Sequence, residues 1–195
     1  MSEPIPALAE VFSRLTDWRD RQGKRYELGW ILTLAFLAIL SGENSVRGIA
    51  GWVKEQRWTL SKRFGLKGGR VPGYETIRTT LRDVDVGELE RRLQAWGQAV
   101  VAAYGLEAWS GMALDGKTLR GSRTDEQAAV QVLSVFLHEL ELVLAQQAVA
   151  NKTNEIPIAR ELLETLTLEG ILITSDALHT QRETARLIVE KGGPI

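Results

Sequence analysis

Apolar residues in the first half of the chain recur at helical spacing, and nearly every position from 28 to 40 is apolar. Ser45 precedes the next periodic segment, in the place that a helix-capping residue takes. The glycine-rich segment 65–73 predicts a connector. We predict four helices, at 27–40, 45–58, 74–82 and 86–104. An all-helical domain is therefore expected over residues 1–105.

Beyond residue 111 the apolar runs become shorter and richer in β-branched residues, which is typical of strands. Met112 to Leu114 predict a first strand that carries Asp115 and ends at Gly116. The later elements are predicted as a hairpin at 130–137 and 141–149, a helix at 155–166, a strand at 170–175 and a helix at 180–191. This order predicts an α/β domain over 106–195, and the fold class is α+β.

An aspartate follows each of two predicted strands, Asp115 after the first and Asp176 after the fourth. If those strands lie side by side, the two carboxylates converge at the carboxyl edge of the sheet, where such sheets usually place ligands. Paired carboxylate oxygens suit Mg²⁺. The alternative is structural, because Asp-Gly is a common turn dipeptide and an aspartate after a strand often caps the next helix.

Charge is unevenly distributed along the chain, although the formal net charge is only −1. Residues 1–105 hold 16 basic and 12 acidic side chains, whereas residues 106–195 hold 8 and 13. Seven basic residues fall between positions 47 and 70 against one acid, and we call them the basic segment: Arg47, Lys54, Arg57, Lys62, Arg63, Lys67 and Arg70. Such a concentration favours contact with a phosphate backbone. A solvated helix face is the alternative.

The helices around the basic segment resemble a helix-turn-helix in outline. The candidate recognition helix is the segment from Tyr74 to Thr80. Core packing of an ordinary helix pair is the alternative, because the spacing is not specific to DNA-binding helices.

Composition excludes several kinds of site. The chain has no cysteine, which rules out disulfides, thiolate metal ligands and a cysteine nucleophile, and its two histidines make a zinc site unpromising. The amino terminus carries acids and prolines where a signal peptide has basic and then apolar residues. The apolar run 28–40 is too short to span a bilayer, so we expect no membrane association and a cytoplasmic location.

Three segments of the second half resemble blocks of bacterial insertion-sequence transposases of the DDE type, in the group that includes the H-repeat-associated proteins. They are LDGKTLRG at 114–121, NKTNEI at 151–156 and TSDALHTQ at 174–181. The first half resembles the helical domain of that group at DWRD (17–20), RY (25–26), the helix at 28–42, IAGW (49–52) and the segment from Pro72 to Arg78. The resemblance runs from about residue 12 to residue 193.

This resemblance implies a partial ribonuclease-H-like α/β domain, with strands 1 to 4 and two helices, behind the helical domain. It implies cleavage and strand transfer of double-stranded DNA at element ends by two Mg²⁺ or Mn²⁺ ions. Asp115 and Asp176 would be the first and second acidic ligands. Phosphate or DNA contacts would come from Lys117, Arg120, Lys152 and Asn154, for which surface charge or helix capping, by Asn154 above all, is an equal interpretation. His179 would contact DNA, with helix capping or surface packing as an equal interpretation.

The chain departs from the family at its carboxyl end. Pro194 stands where members of the group begin a further strand, and Ile195 is the last residue. Members of the group carry their third acid, a glutamate, beyond a further strand, and no acid here stands at that place. We therefore expect a truncated transposase that is inactive alone. Three interpretations remain open: catalysis with a third acid from a partner chain, a DNA-binding remnant that pairs with itself or with an intact transposase, and an inert remnant.

Overall fold

The computed structural model describes residues 7–20, 24–64, 67–105, 110–123, 128–149 and 155–194. The chain forms two compact units that divide between Arg92 and Leu93, inside one long helix. We call them the helical unit, up to Arg92, and the sheet unit, from Leu93. The division falls ahead of the boundary expected near residue 105, and the domain assignments 1–105 and 106–195 stay predictions.

Six helices precede the sheet in the described residues: α1 (Leu8–Ser13), α2 (Leu28–Leu40), α3 (Val46–Glu55), α4 (Arg57–Phe64), α5 (Tyr74–Asp83) and α6 (Val86–Tyr104). The Ser45 Oγ accepts a hydrogen bond from the backbone N–H of Gly48 at 3.1 Å, which confirms the predicted cap. The single helix predicted at 45–58 is wrong, because the chain breaks at Gln56 and continues as α4. Through α4, Leu60 joins the same core as Ile49.

Helix α2 is the buried centre of the helical unit. Its residues Ile31, Leu34 and Ala38 are 0% exposed. Helix α1 packs against it so closely that a Cβ atom on Gly29 would lie 2.6 Å from the Cα of Ser13. Among the described residues, no helix is both long and apolar enough to cross a membrane.

A charged cluster joins the segment between α1 and α2 to the rest of the unit. The Arg19 Nε and Nη2 donate to Asp17 Oδ1 and Oδ2 at 2.8 and 2.9 Å, and Nη2 also donates to the Tyr26 carbonyl oxygen at 2.8 Å. The Tyr26 hydroxyl donates to the Val71 carbonyl oxygen at 2.9 Å. Hydrogen bonding by the Arg19 guanidinium lowers the pKa of the Asp17 carboxyl.

The sheet unit contains one mixed four-stranded sheet. Its strands are β1 (Gly111–Thr118), β2 (Gln131–Leu137), β3 (Leu142–Val149) and β4 (Leu172–Ser175), in the spatial order β3-β2-β1-β4. The predicted hairpin is confirmed, since β2 and β3 pair antiparallel, and β4 lies parallel to β1. Helix α7 (Glu155–Glu164) lies between β3 and β4 in the chain, and α8 (Arg182–Glu190) follows β4. The expected α+β class is confirmed at this level.

The first strand does not end at Gly116, as the sequence predicted. Gly116 is the register partner of Leu133, and Lys117 is the partner of Val132, so β2 continues the ladder to Thr118. Strand β4 pairs with β1 only as far as Leu114. The glycine therefore lies inside a strand that has lost one of its two neighbours.

One apolar core lies between the sheet and α7. Alternate residues of β2, namely Leu133, Val135 and Leu137, are 0% exposed, which is the period-two pattern of a strand with one buried face. Leu162 and Leu163 of α7 belong to the same core. This packing fixes the face of the sheet on which α7 lies.

Candidate functional site

The two predicted acids follow neighbouring parallel strands. The last register pair between β1 and β4 is Leu114 with Ser175, and Asp115 and Asp176 each come one residue later. Both aspartates are exposed. The expectation that their strands lie side by side is confirmed, so the two carboxylates are at the same edge of the sheet.

Asp176 is partly engaged by the turn that follows it. Its Oδ1 accepts the backbone N–H of His179 at 3.1 Å, and its carbonyl oxygen accepts the hydroxyl of Thr180 at 2.8 Å. This bond holds the turn at 177–179, and it is not the helix cap that the sequence allowed, because α8 begins at Arg182 with Gln181 as its N-cap residue. Among the described residues, no hydrogen bond reaches the other oxygen of Asp176 or either carboxylate oxygen of Asp115.

A third acidic side chain, Glu155, lies near this edge. It begins α7, and its Oε2 is 3.5 Å from Nε2 of His179. A Cβ atom added to Gly116 would be 3.0 Å from the same Oε2. Sequence reasoning saw Glu155 only as the start of a helix. The sequence feature that could have indicated this contact is Gly116, because a side chain at that position would occupy the space next to the Glu155 carboxylate.

His179 is almost completely buried beside these acids. Its side chain is 1% exposed, and neither ring nitrogen has a hydrogen-bond partner among the described residues. A buried polar group without a partner costs free energy. The predicted surface packing is therefore wrong, because the ring is buried, and burial alone leaves its polar atoms unexplained.

Two carboxylates of this kind fit a hard divalent cation, which prefers oxygen ligands and keeps several waters. No group of three or more histidine, aspartate or glutamate side chains in the described residues is close enough to form a complete metal site. Asp115 and Asp176 are the residues that would hold a cation. That role, and the identity of the cation as Mg²⁺ or Mn²⁺, stays a prediction.

Part of the basic segment lines a cavity in the helical unit. Arg47 and Lys54 lie seven residues apart on α3, and both line a cavity of about 460 Å³ with Gly51, Gly73 and Tyr74. Both cations are exposed and, within the described part of the chain, neither has an ion-pair partner. The cavity therefore combines two free positive charges with the amino-terminal end of α5, where backbone N–H groups favour anions.

The other cations of the basic segment lie on α4 and the turn after it. The Arg57 guanidinium lies 5.4 Å from the ring centre of Trp58, whose side chain is 63% exposed. Exposed positions are also taken by Lys62, Arg63 and Arg70. Lys67 belongs to a short 3-10 turn, and its side chain lies outside the described residues.

Helix α5, the candidate recognition helix, is partly neutralised on its surface. Arg78 pairs with Glu75 at 2.9 Å, and Arg82 pairs with Asp83. Its buried residues are Ile77 and Thr80, and the helix packs on α3. The base-reading role stays a prediction.

The remaining predicted DNA contacts fall beside the first acid or outside the described residues. Lys117 is the second residue after Asp115 on β1, and Arg120 lies in the following turn; both are exposed. Lys152 and Asn154, including the predicted Asn154 cap, lie outside the described residues.

Comparison with known proteins finds relatives that are named putative transposases. The family described as DDE_Tnp_1-associated matches residues 9–97. "Putative transposase YncI" of Escherichia coli K12 is 30% identical over 96% of this chain and 75% of its own length. "H repeat-associated putative transposase YhhI" of the same strain is 28% identical over 97% of this chain and 50% of its own length.

A third relative has no function in its name. "Uncharacterized protein in dhlA 3'region" of Xanthobacter autotrophicus is 31% identical over 90% of this chain. The chain spans 59% of that relative and about half the length of several others. No solved structure matches the chain, so the ribonuclease-H-like part of the expected fold stays a prediction.

Proposed function

Because the chain belongs to the family of bacterial transposases that includes the H repeat-associated proteins, we propose that it acts on double-stranded DNA. Its sheet unit contributes two acidic residues to a site for phosphodiester cleavage and strand transfer. The observation that carries this proposal is the register of β1 and β4, after which Asp115 and Asp176 both follow one residue beyond the last pair.

The task of these two residues is to hold Mg²⁺ or Mn²⁺ at an open edge of the sheet, where a phosphate backbone has access. When bound by Asp115 and Asp176, such a cation would supply stabilisation of the negative charge on the oxygens that attack and leave phosphorus. The aspartates need no nucleophilic side chain beside them, because water or a DNA hydroxyl is the attacking group. Lys117 and Arg120, exposed just past Asp115, are suited to contact the phosphates.

DNA affinity is assigned mainly to the helical unit. Arg47 and Lys54 are free cations on one face of α3, and they line a cavity at the start of α5. Cations without carboxylate partners are those that gain most from a phosphate, because no existing ion pair has to be broken. The other cations of the basic segment extend the positive surface along α4.

One set of reactions tests both parts of this proposal. The purified chain is mixed with a supercoiled plasmid over a range of salt concentrations, with Mg²⁺ or with a chelator, and binding and nicking are scored in the same tubes. If the two aspartates suffice for cleavage, the wild type nicks the plasmid with Mg²⁺ and Asp115→Asn and Asp176→Asn do not. If a third acid is required, as the sequence led us to expect, none of the three nicks. DNA binding at fixed salt should persist in both variants. Nicking that survives both substitutions would refute the acidic site.

A second candidate function is DNA binding without cleavage, as a regulator that pairs with itself or with an intact transposase. It is favoured by one observation: no three acidic or histidine side chains in the described residues form a complete metal site. Binding that falls steeply with salt, without nicking under any condition, would support this function over catalysis.

A further inference from the structure

We propose that Glu155 is a third acidic group of the cation site at Asp115 and Asp176, an inference that rests on the proposed function. The role assigned to Glu155 is to bind the divalent cation, directly or through one of its waters. The one supporting residue is His179, which lies against the Glu155 carboxylate and also touches Asp176 through its backbone.

Glu155 lies beside one neighbour of each aspartate. On the β1 side, its Oε2 faces Gly116, the residue directly after Asp115, at 3.0 Å from where a Cβ would stand. On the β4 side, Oε2 lies 3.5 Å from Nε2 of His179, whose backbone N–H donates to Oδ1 of Asp176. Glu155 is thus one neighbour away from each aspartate, through Gly116 on the side of Asp115 and through His179 on the side of Asp176.

The buried ring of His179 is an independent indication that the Glu155 carboxylate has a binding role beyond an ion pair. The ring is 1% exposed and both nitrogens lack hydrogen-bond partners in the described residues. At 3.5 Å the contact with Glu155 is at the limit for a hydrogen bond. A histidine buried at that cost fixes the carboxylate against Gly116 and limits its rotation.

The side chains need not all touch one ion. Mg²⁺ usually keeps several waters and takes only one or two carboxylates directly. An acid that holds a coordinated water still matters, because changing such outer partners typically lowers metal affinity about 10- to 100-fold. This agrees with the absence, among the described residues, of three acidic or histidine side chains gathered at one point.

Glu155 is not the acid that the family resemblance leads one to expect. That resemblance puts the third acid beyond Asp176 in the chain, whereas Glu155 precedes it, on the helix between β3 and β4. The chain therefore contains an acidic group at the sheet edge without any contribution from residues after 195 or from a partner.

The test measures Mn²⁺ affinity by isothermal titration and by the electron spin resonance signal of free Mn²⁺, without DNA. Five forms of the full chain are compared: wild type, Asp115→Asn with Asp176→Asn, Glu155→Gln, Gly116→Ala and Glu161→Gln. Glu161 is the matched control, since it is an exposed glutamate on the same helix. Gly116→Ala displaces the Glu155 carboxylate without changing any charge.

We expect Glu155→Gln to weaken Mn²⁺ binding about 10-fold, the double aspartate variant to abolish it, and Glu161→Gln to change it less than about 2-fold. Gly116→Ala should also weaken binding. Wild-type affinity in Glu155→Gln, or a loss no larger than in Glu161→Gln, would overturn this inference alone. If Glu155→Gln does not fold, Gly116→Ala takes its place, and wild-type Mn²⁺ affinity in Gly116→Ala would overturn the inference.

Failure of the proposed function gives a different result. Mn²⁺ binding that is absent from the wild type, or equally strong in the double aspartate variant, would remove the acidic site itself and the Glu155 inference with it. If the double aspartate variant loses Mn²⁺ binding and Glu155→Gln binds Mn²⁺ as the wild type does, Asp115 and Asp176 form the site and Glu155 is not part of it.

Discussion

Leu114 of β1 and Ser175 of β4 are register partners, and they are the last pair before the two aspartates. Leu114 is 3% exposed, whereas Ser175 is exposed. The pairing of backbones, anchored by the buried Leu114 side chain, therefore sets the level at which Asp115 and Asp176 leave the sheet. Contacts between the acids themselves are not needed for this placement.

We expect Leu114→Ala to destabilise the sheet unit by about 3 kcal/mol, because it removes a buried side chain and leaves a cavity. Urea unfolding, with hydrogen exchange of the β1 amides, measures the loss. Leu119→Ala is the control, since Leu119 is 44% exposed, and should change stability by less than about 0.5 kcal/mol. Equal effects of the two substitutions would contradict the anchoring role of Leu114.

Gly29→Ala should destabilise the helical unit by about 1–3 kcal/mol, because the new methyl group would collide with the backbone of Ser13 on α1. Thermal unfolding followed by circular dichroism provides the measurement. The paired substitution is Gly51→Ala, for which no atom lies within 4 Å of the added Cβ. Helix propensity then predicts a gain of about 0.5–1 kcal/mol. A loss at Gly51 as large as at Gly29 would argue against close packing as the cause.

The Asp17 carboxyl should make the helical unit acid-sensitive. Its pKa is lowered, first by hydrogen bonding to Arg19, so its ionised form is favoured in the folded state. The stabilisation is present above the unfolded-state pKa of about 4 and is lost as pH falls through the lower folded value. Because the pair is partly exposed, we expect about 1 kcal/mol.

Asp17→Asn checks this assignment. Unfolding free energies of the wild type and the variant, measured at neutral pH and at decreasing pH, should differ at neutral pH and converge in acid. The convergence follows because protonation removes the same charge that the substitution removes. A difference that stays constant across this range would mean that Asp17 acts by shape or packing.

Reversing the two free cations of α3, in Arg47→Glu with Lys54→Glu, should weaken binding of duplex DNA. If each cation neutralises one phosphate, the slope of log affinity against log salt should decrease in magnitude by about 2. Titrations by fluorescence anisotropy at several salt concentrations give the slope. Arg186→Glu, at an exposed position of α8, is the matched reversal in the sheet unit. An unchanged slope in the α3 variant would exclude these two residues from the interface.

A second reversal, Arg57→Glu with Lys62→Glu and Arg63→Glu, tests the part of the basic segment on α4. We expect a further decrease in affinity and in salt dependence, since these cations are candidates for additional phosphates. The same titrations apply. Unchanged affinity and slope would restrict the DNA surface to α3 and the start of α5.

Elements with strong periodicity could be predicted from the sequence. Alternating burial at Leu133 and Val135 follows the period of two that predicted the hairpin, and the capping hydroxyl of Ser45 starts α3 where the pattern indicated. Local signals were sufficient in these two places. The parallel pairing of β1 and β4 is different, because the aspartate after each apolar run suggested a shared site only if the strands lay side by side, and the structure shows that they do.

Features that depend on distant residues could not be predicted. Gln56 interrupts a helix without being glycine or proline, and the helix that follows brings Leu60 into the core with Ile49. Gly116 continues its strand because β2 pairs with it, which no local rule indicates. Glu155 reaches the site only through the docking of α7 on the sheet, so the segment NKTNEI marked the family without indicating that this glutamate lies near Asp115 and Asp176.

Because β1 and β4 pair in parallel register, the face on which Asp176 lies depends on the number of residues in β4. Side chains alternate along a strand, so one residue inserted between Leu172 and Ser175 would turn Asp176 to the opposite face of the sheet. Two inserted residues would restore the face and displace the aspartate by about 7 Å along the strand. The placement of the two acids therefore depends on the length of β4, since a change by a single residue would put their side chains on opposite faces of the sheet.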